Sequence, residues 1–118
     1  MHFSQFSELA TELGLSQITL LSWTGINKGA LNSARRRGAF TGDNSNLLTG
    51  IQFMLNTIKA ASLSSDAVNF DHGRWLSSWM EEPNPALGYL DPKELLNTYD
   101  GQAKVLNLLC AILHGVYQ

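Results

Sequence analysis

Ser45-Asn46-Leu47-Leu48-Thr49-Gly50-Ile51-Gln52-Phe53-Met54-Leu55-Asn56-Thr57-Ile58-Lys59-Ala60-Ala61 sets the fold class. Its apolar positions Leu47, Leu48, Ile51, Met54, Leu55, Ile58 and Ala61 return every three or four residues. That is the spacing of one face of an α-helix. Phe53 falls off this stripe and points away from it, which makes it a candidate contact with a second copy of the chain.

The same period extends in both directions, and strand-like alternation is scarce. Upstream, Phe3, Phe6, Leu9, Ala10 and Leu13 form one helical stripe that Gly14 stops. Ser16 is placed to cap a second helix carrying Ile18, Leu20, Leu21 and Trp23, ended by Gly25. Asn27 is placed to cap a third, with Ala30, Leu31 and Ala34 inward and Gly38 at its end. Ala39 to Asn44 reads as a loop, after which the long helix starts near Asn44 or Ser45. Downstream, Ser62 to Asn69 is mostly small and polar and reads as a connection. Asp71 is placed to cap a short helix with Trp75, Leu76, Trp79 and Met80, which Pro83 and Pro85 prevent from continuing. Asp91-Pro92-Lys93-Glu94 has the marks of a helix start: an acidic cap, proline at the first position, and a carboxylate three residues on. Asn97 or Thr98 opens a last helix whose stripe is Val105, Leu108, Leu109, Ile112, Leu113 and Val116. The expectation is an all-α chain in two units. Residues 1–62 would hold a helix-turn-helix bundle and the long connecting helix, and residues 63–118 a second helical domain.

Apolar residues make up 44% and charged residues 15% of the 118 positions, a globular composition rather than a disordered one. Net charge is −2, so bulk charge does not point to nucleic acid, but its distribution is uneven. Residues 1–40 carry Lys28, Arg35, Arg36 and Arg37 against Glu8 and Glu12, whereas residues 62–118 hold seven acids and three bases. A basic head on an acidic tail suggests two tasks. Cys110 is the one cysteine, which excludes an intrachain disulfide and fits a reducing compartment. The first residues lack the basic and apolar regions of a signal peptide, and no run approaches the roughly 20 apolar residues of a membrane span. A soluble, cytoplasmic protein is expected.

Between the second and third helices lies Gly25-Ile26-Asn27, a tight glycine-containing turn with Ile26 to plug the angle. This is the helix-turn-helix layout, Ser16 to Gly38. Projecting the third helix at about 100° per residue sends Asn32 and Arg36 directly outward, with Lys28, Gly29 and Ser33 alongside and Arg35 and Arg37 at the flanks. Asn32 suits adenine and Arg36 guanine, while flanking arginines suit phosphates. A plain helical hairpin with a solvated basic end accounts for the same residues, since cations are favoured at a helix C-terminus. Four positive charges per copy are few, so DNA binding would call for a dimer.

The second half reads Gly73-Arg74-Trp75-Leu76-Ser77-Ser78-Trp79-Met80-Glu81-Glu82-Pro83-Asn84-Pro85-Ala86-Leu87-Gly88-Tyr89-Leu90-Asp91-Pro92-Lys93-Glu94-Leu95-Leu96, followed by Gly101, Val105, Leu108-Leu109 and His114-Gly115-Val116-Tyr117. The succession of a Trp-Leu pair, a Pro-Asn-Pro-Ala-Leu-Gly turn, a Pro-x-Glu-Leu-Leu start, a glycine, a Val-x-x-Leu-Leu helix and a Gly-Val-Tyr ending resembles the toxin-binding domain of Xre/MbcA/ParS-family antitoxins. Tyr89 departs from that pattern, in which a small residue is commoner. The resemblance implies an antitoxin of a type II toxin–antitoxin system. Its partner would be a RES-domain toxin that consumes NAD, and with operator DNA it would act as a repressor of its own genes. It implies no catalysis, no cofactor and no metal.

Independently of the resemblance, Pro83, Asn84, Pro85, Leu87 and Gly88 read as a stiff turn that fixes how two helices meet. Trp75 and Trp79 share a helix face and are expected to pack inward. The last helix has a second apolar strip, Leu106, Cys110 and Tyr117, with His114 at its edge. A helix apolar on two faces wants a second partner, so Leu106, Cys110, His114, Tyr117 and Gln118 are the candidate toxin contacts. Burial of Leu106 and Cys110 in the chain's own core is the alternative. Two other functions stay open: a stand-alone helix-turn-helix regulator that uses the second domain only to dimerise, and a small enzyme built on Cys110 and His114. The latter lacks a third catalytic group. Asp66, Asp71 and His72 read as cap and loop residues rather than metal ligands.

Overall fold

The computed structural model describes residues 1–61 and 70–115. Among them the chain is all-α. In order come α1 (Phe3–Leu13), α2 (Gln17–Thr24), α3 (Lys28–Arg37), α4 (Gly42–Ala61), α5 (His72–Met80), short 3₁₀ turns at Pro85–Leu87 and Pro92–Leu95, and α6 (Tyr99–Leu113).

Local chemistry sets the helix ends. The side chains of Ser16, Asn27, Asp71 and Thr98 accept from the backbone N–H of Thr19, Ala30, Arg74 and Gly101, so each satisfies a donor that the first turn leaves free. Gly14, Gly25 and Gly38 close α1, α2 and α3 in the left-handed conformation. Ahead of α1, the chain pairs with the segment after α3: the Phe3 amide donates to Gly38 O at 2.9 Å and the Phe40 amide to Met1 O at 2.8 Å. Phe40 meets Phe6 edge-on at 4.9 Å, so this pairing also seals the floor of the helical head.

One apolar cluster runs through both halves. Phe6, Leu9 and Leu13 from α1 and Leu20 and Leu21 from α2 meet Leu48, Ile51, Met54, Leu55 and Ile58 from α4. Leu76 and Met80 from α5 and Val105 and Leu109 from α6 complete it. Each fully buried aliphatic side chain contributes about 1.5–3 kcal/mol, so this cluster dominates the stability of the fold. α4 is its spine, in contact with α2, α5 and α6.

The structure departs from the sequence reading in a few places. α4 begins at Gly42, so Gly42 to Asn44 are helical and only Ala39 to Thr41 connect it to α3. Asp43 in the first turn favours the positive end of the helix and is held there by the Tyr99 hydroxyl, which donates to it at 2.6 Å. The Asp91 start forms as a capping box, but its helix lasts one 3₁₀ turn, after which Leu96 is fully buried in the core. Ile18 is 45% exposed, since Leu20, Leu21, Trp23 and Thr24 take the buried side of α2. The connection read at Ser62 to Asn69, and with it the proposed boundary between residues 62 and 63, lies outside the described residues.

Candidate DNA and partner surfaces

α3 packs on the head through Leu31 and Ala34, with Ala30 half-buried. Its period therefore leaves Lys28, Gly29, Asn32, Arg35, Arg36 and Arg37 exposed and Ser33 half-buried. Ile26, buried in the turn, fixes α3 against α2. Two contacts organise the outward side chains: Arg35 lies 5.6 Å over the Phe3 ring and donates to Asn32 Oδ1 at 3.5 Å, and Arg36 donates to Ser33 Oγ at 3.4 Å. Among the described residues no carboxylate pairs with Lys28, Arg35, Arg36 or Arg37, so their charge faces outward unneutralised. Six of the seven expected residues are thus exposed on α3, and Ser33 is the half-buried one.

The turn between α2 and α3 also abuts the second half. A Cβ built on Gly25 would stand 3.3 Å from Asn97 Cβ, so the turn rests on the segment between the Pro92–Leu95 turn and α6. Nothing in the sequence pattern signals that contact.

In the second half, α5 buries Leu76, Ser77 and Met80 and leaves Trp75 and Trp79 half-buried. The two indoles stack with centroids 6.3 Å apart and planes 5° from parallel, packed against the edge of the core. Asn84 organises the turn: its side chain accepts from the Ala86 amide at 2.9 Å, its carbonyl accepts from the Leu87 and Tyr89 amides, each at 2.9 Å, and its own amide donates to Leu90 O at 3.1 Å. Pro83, Pro85 and Gly88 are exposed and Leu87 half-buried, so this loop projects rather than packs.

On α6, Leu106 and Cys110 are half-buried, and His114, the residue just after the helix, is exposed. Leu106 borders a largely apolar groove of about 390 Å³ between α4 and α6, together with Phe53, Tyr99 and Ala103. Phe53 is 56% exposed and Tyr99 52%. The structure therefore places Phe53 and Leu106 in one groove. Cys110 and His114 are joined by a backbone bond, the His114 amide donating to Cys110 O at 3.0 Å. Tyr117 and Gln118 lie outside the described residues.

Tyr99 ties the groove's rim to the start of α4. Its hydroxyl donates to Asp43 Oδ1 and accepts from Asn46 Nδ2 at 3.3 Å. The Asp43 hydrogen bond raises the Tyr99 pKa above its ordinary value, outweighing the opposite effect of Asn46. Among the described residues no group of three His, Cys, Asp or Glu is placed to hold a metal ion, and no helix is long and apolar enough to cross a membrane.

Comparison with known proteins bears on the second half most directly. Residues 68–115 match the antitoxin Xre/MbcA/ParS C-terminal toxin-binding domain. The chain is similar to the Prs ADP-ribosylating antitoxin of Sphingobium sp. (strain YBL2), with 44% identity over 54 residues, 46% of this chain and 34% of that protein. It is also similar to Antitoxin Xre of Photorhabdus laumondii subsp. laumondii, with 31% identity over 80 residues, 68% of this chain and 49% of that protein. The chain thus spans between a third and a half of the length of the curated relatives it matches. No solved structure matches it significantly. Residues 68–115 are accordingly a domain homologous to the C-terminal domain of Xre/MbcA/ParS-family antitoxins.

Proposed function

We propose that the chain is the antitoxin of a type II toxin–antitoxin pair, which binds and occludes a RES-domain toxin and, as a dimer, binds operator DNA to repress its own genes. The observation that carries this reading is the match of residues 68–115 to a toxin-binding domain. Both relatives bear antitoxin names, and ADP-ribosylation, which one name includes, draws on NAD. That chemistry suits an NAD-consuming toxin.

Labour is divided between the halves. Leu106 and Cys110 on α6 and His114 at its end, with Tyr117 and Gln118, contact the toxin. Lys28, Gly29, Asn32, Ser33, Arg35, Arg36 and Arg37 face DNA. Phe53 contributes to the dimer contact, next to the Leu106 surface in the α4–α6 groove. The unpaired positive charge of α3 supports the DNA role, since phosphate binding scales with the number of free cations presented.

Co-expression tests the central claim. A RES-domain protein encoded next to this chain is expected to be lethal alone, to be silenced by this chain, and to co-purify with it. Continued lethality with no complex sinks the antitoxin reading and leaves a stand-alone regulator, for which DNA binding would persist. Removing Tyr117 and Gln118 is expected to weaken silencing while the thermal melt is retained; full silencing excludes these two residues from the contact.

A further inference from the structure

We infer that Tyr89 is a specificity-determining contact for the protein partner of the second half, its ring entering an apolar pocket that is flanked by basic side chains on the partner. The inference rests on the antitoxin reading.

The backbone supplies the first observation. Gly88 and Tyr89 are consecutive left-handed residues, each with φ 66°, and Tyr89 is the one non-glycine residue with positive φ among those described. Glycine enters this region freely, whereas a Cβ there crowds the neighbouring carbonyl. The closed loop enforces the conformation: the Tyr89 amide is committed to Asn84 O, the Gly88 amide to Pro85 O at 3.2 Å, and the Leu90 carbonyl to the Asn84 amide.

The side chain supplies the second. Tyr89 is 71% exposed and, among the described residues, its side chain makes no hydrogen bond or ring contact that would offset the strain. Leu90 beside it is 44% exposed. A strained residue whose side chain returns nothing to its own fold marks a place where the return comes from outside. A rigid, exposed aromatic is also the residue type that anchors interfaces at low entropic cost.

Charge selects the occupant. Glu81 and Glu82 are exposed just before the loop, within three residues of the Asn84–Leu90 bridge that closes it, and neither forms an ion pair among the described residues. An acidic flank repels phosphates, which argues against nucleic acid at this loop. It also opposes an identical copy, which would bring the same acids. It favours a protein surface of apolar centre and basic rim.

The test uses Tyr89→Gly and Tyr89→Asn, both of which suit left-handed backbone, with the adjacent RES-domain protein as the probe. Expected are a melting temperature equal to or above that of the unsubstituted chain, and binding by titration calorimetry weaker by about tenfold or more, while Tyr89→Phe keeps most of the affinity. Unsubstituted chain that binds, with both variants binding equally well, overturns this inference alone. A lowered melting temperature in both variants also overturns it, because the ring would then be supporting the fold. If the unsubstituted chain forms no complex, the antitoxin reading falls and takes this inference with it.

Discussion

Gly73 on α5 lies so close to Glu12 on α1 that a Cβ at residue 73 would stand 1.9 Å from the Glu12 carbonyl oxygen. One turn further along α5, Ser77 Oγ donates to Leu13 O at 2.5 Å, and both groups are buried. The two halves of the chain therefore meet backbone to backbone. Gly73→Ala forces α1 and α5 apart, and overpacking of this kind costs about 1–3 kcal/mol. A urea melt is expected to shift its midpoint downward accordingly; an unchanged midpoint would show that the helices separate without cost. Ser77→Ala is expected to lose about 1 kcal/mol through the orphaned Leu13 carbonyl.

Gln102 performs the equivalent task between α4 and α6. Its side-chain amide is buried and donates to Leu47 O at 3.0 Å and Leu96 O at 2.9 Å, joining the two helices to the intervening turn. Gln102→Leu keeps the bulk but removes both bonds. We expect a loss of about 2 kcal/mol, on the scale of a buried acceptor left unpaired, with amide exchange accelerating around Leu96 first. Uniform exchange protection would contradict the clamp.

Asn32 and Arg36 occupy the outward line of α3. The double substitution Asn32→Ala with Arg36→Ala is expected to abolish a gel shift on DNA from upstream of the chain's own gene while toxin silencing survives. An unaltered shift would remove α3 from the recognition role. Arg37→Ala, at the flank, is expected to weaken binding to all sequences alike and to lower the salt slope by about one.

Tyr99 titrates above its ordinary value because its hydroxyl is held by Asp43. The neutral phenol is the form that the folded state favours. Its contribution is therefore complete below the unfolded tyrosine pKa and disappears as pH rises through the higher folded value. Ultraviolet titration of Asp43→Asn is expected to show one tyrosine ionising at lower pH than in the unsubstituted chain. Superimposable curves would mean that the Tyr99–Asp43 bond does not persist in solution.

Much of the fold was legible because its determinants are local. The caps at Ser16, Asn27 and Asp71 and the glycine stops at Gly14, Gly25 and Gly38 act within one turn of where they stand. The stripe of α4 needs only its own period. The start of α4 is not legible locally, because the bond that favours it comes from Tyr99, 56 residues away. The Asp91 start has the local marks of an ordinary helix, yet it forms one 3₁₀ turn, with Leu96 buried just after it. Gly73, Ser77 and Gln102 carried no signal at all, since each matters only through a group on a distant helix.

By itself, the sequence determined that the chain is helical, where most helices begin and end, which residues of α3 turn outward, and which domain its second half resembles. Those properties follow from hydrophobic period, capping and motif order, all short-range. Tertiary structure alone decided that both halves share one core, that Phe53 and Leu106 line a single groove, and that Tyr89 holds a left-handed backbone with its ring in solvent. These are consequences of which helices approach each other and how closely. Steric contact and hydrogen bonding across long sequence separations set that approach, and no local pattern encodes them.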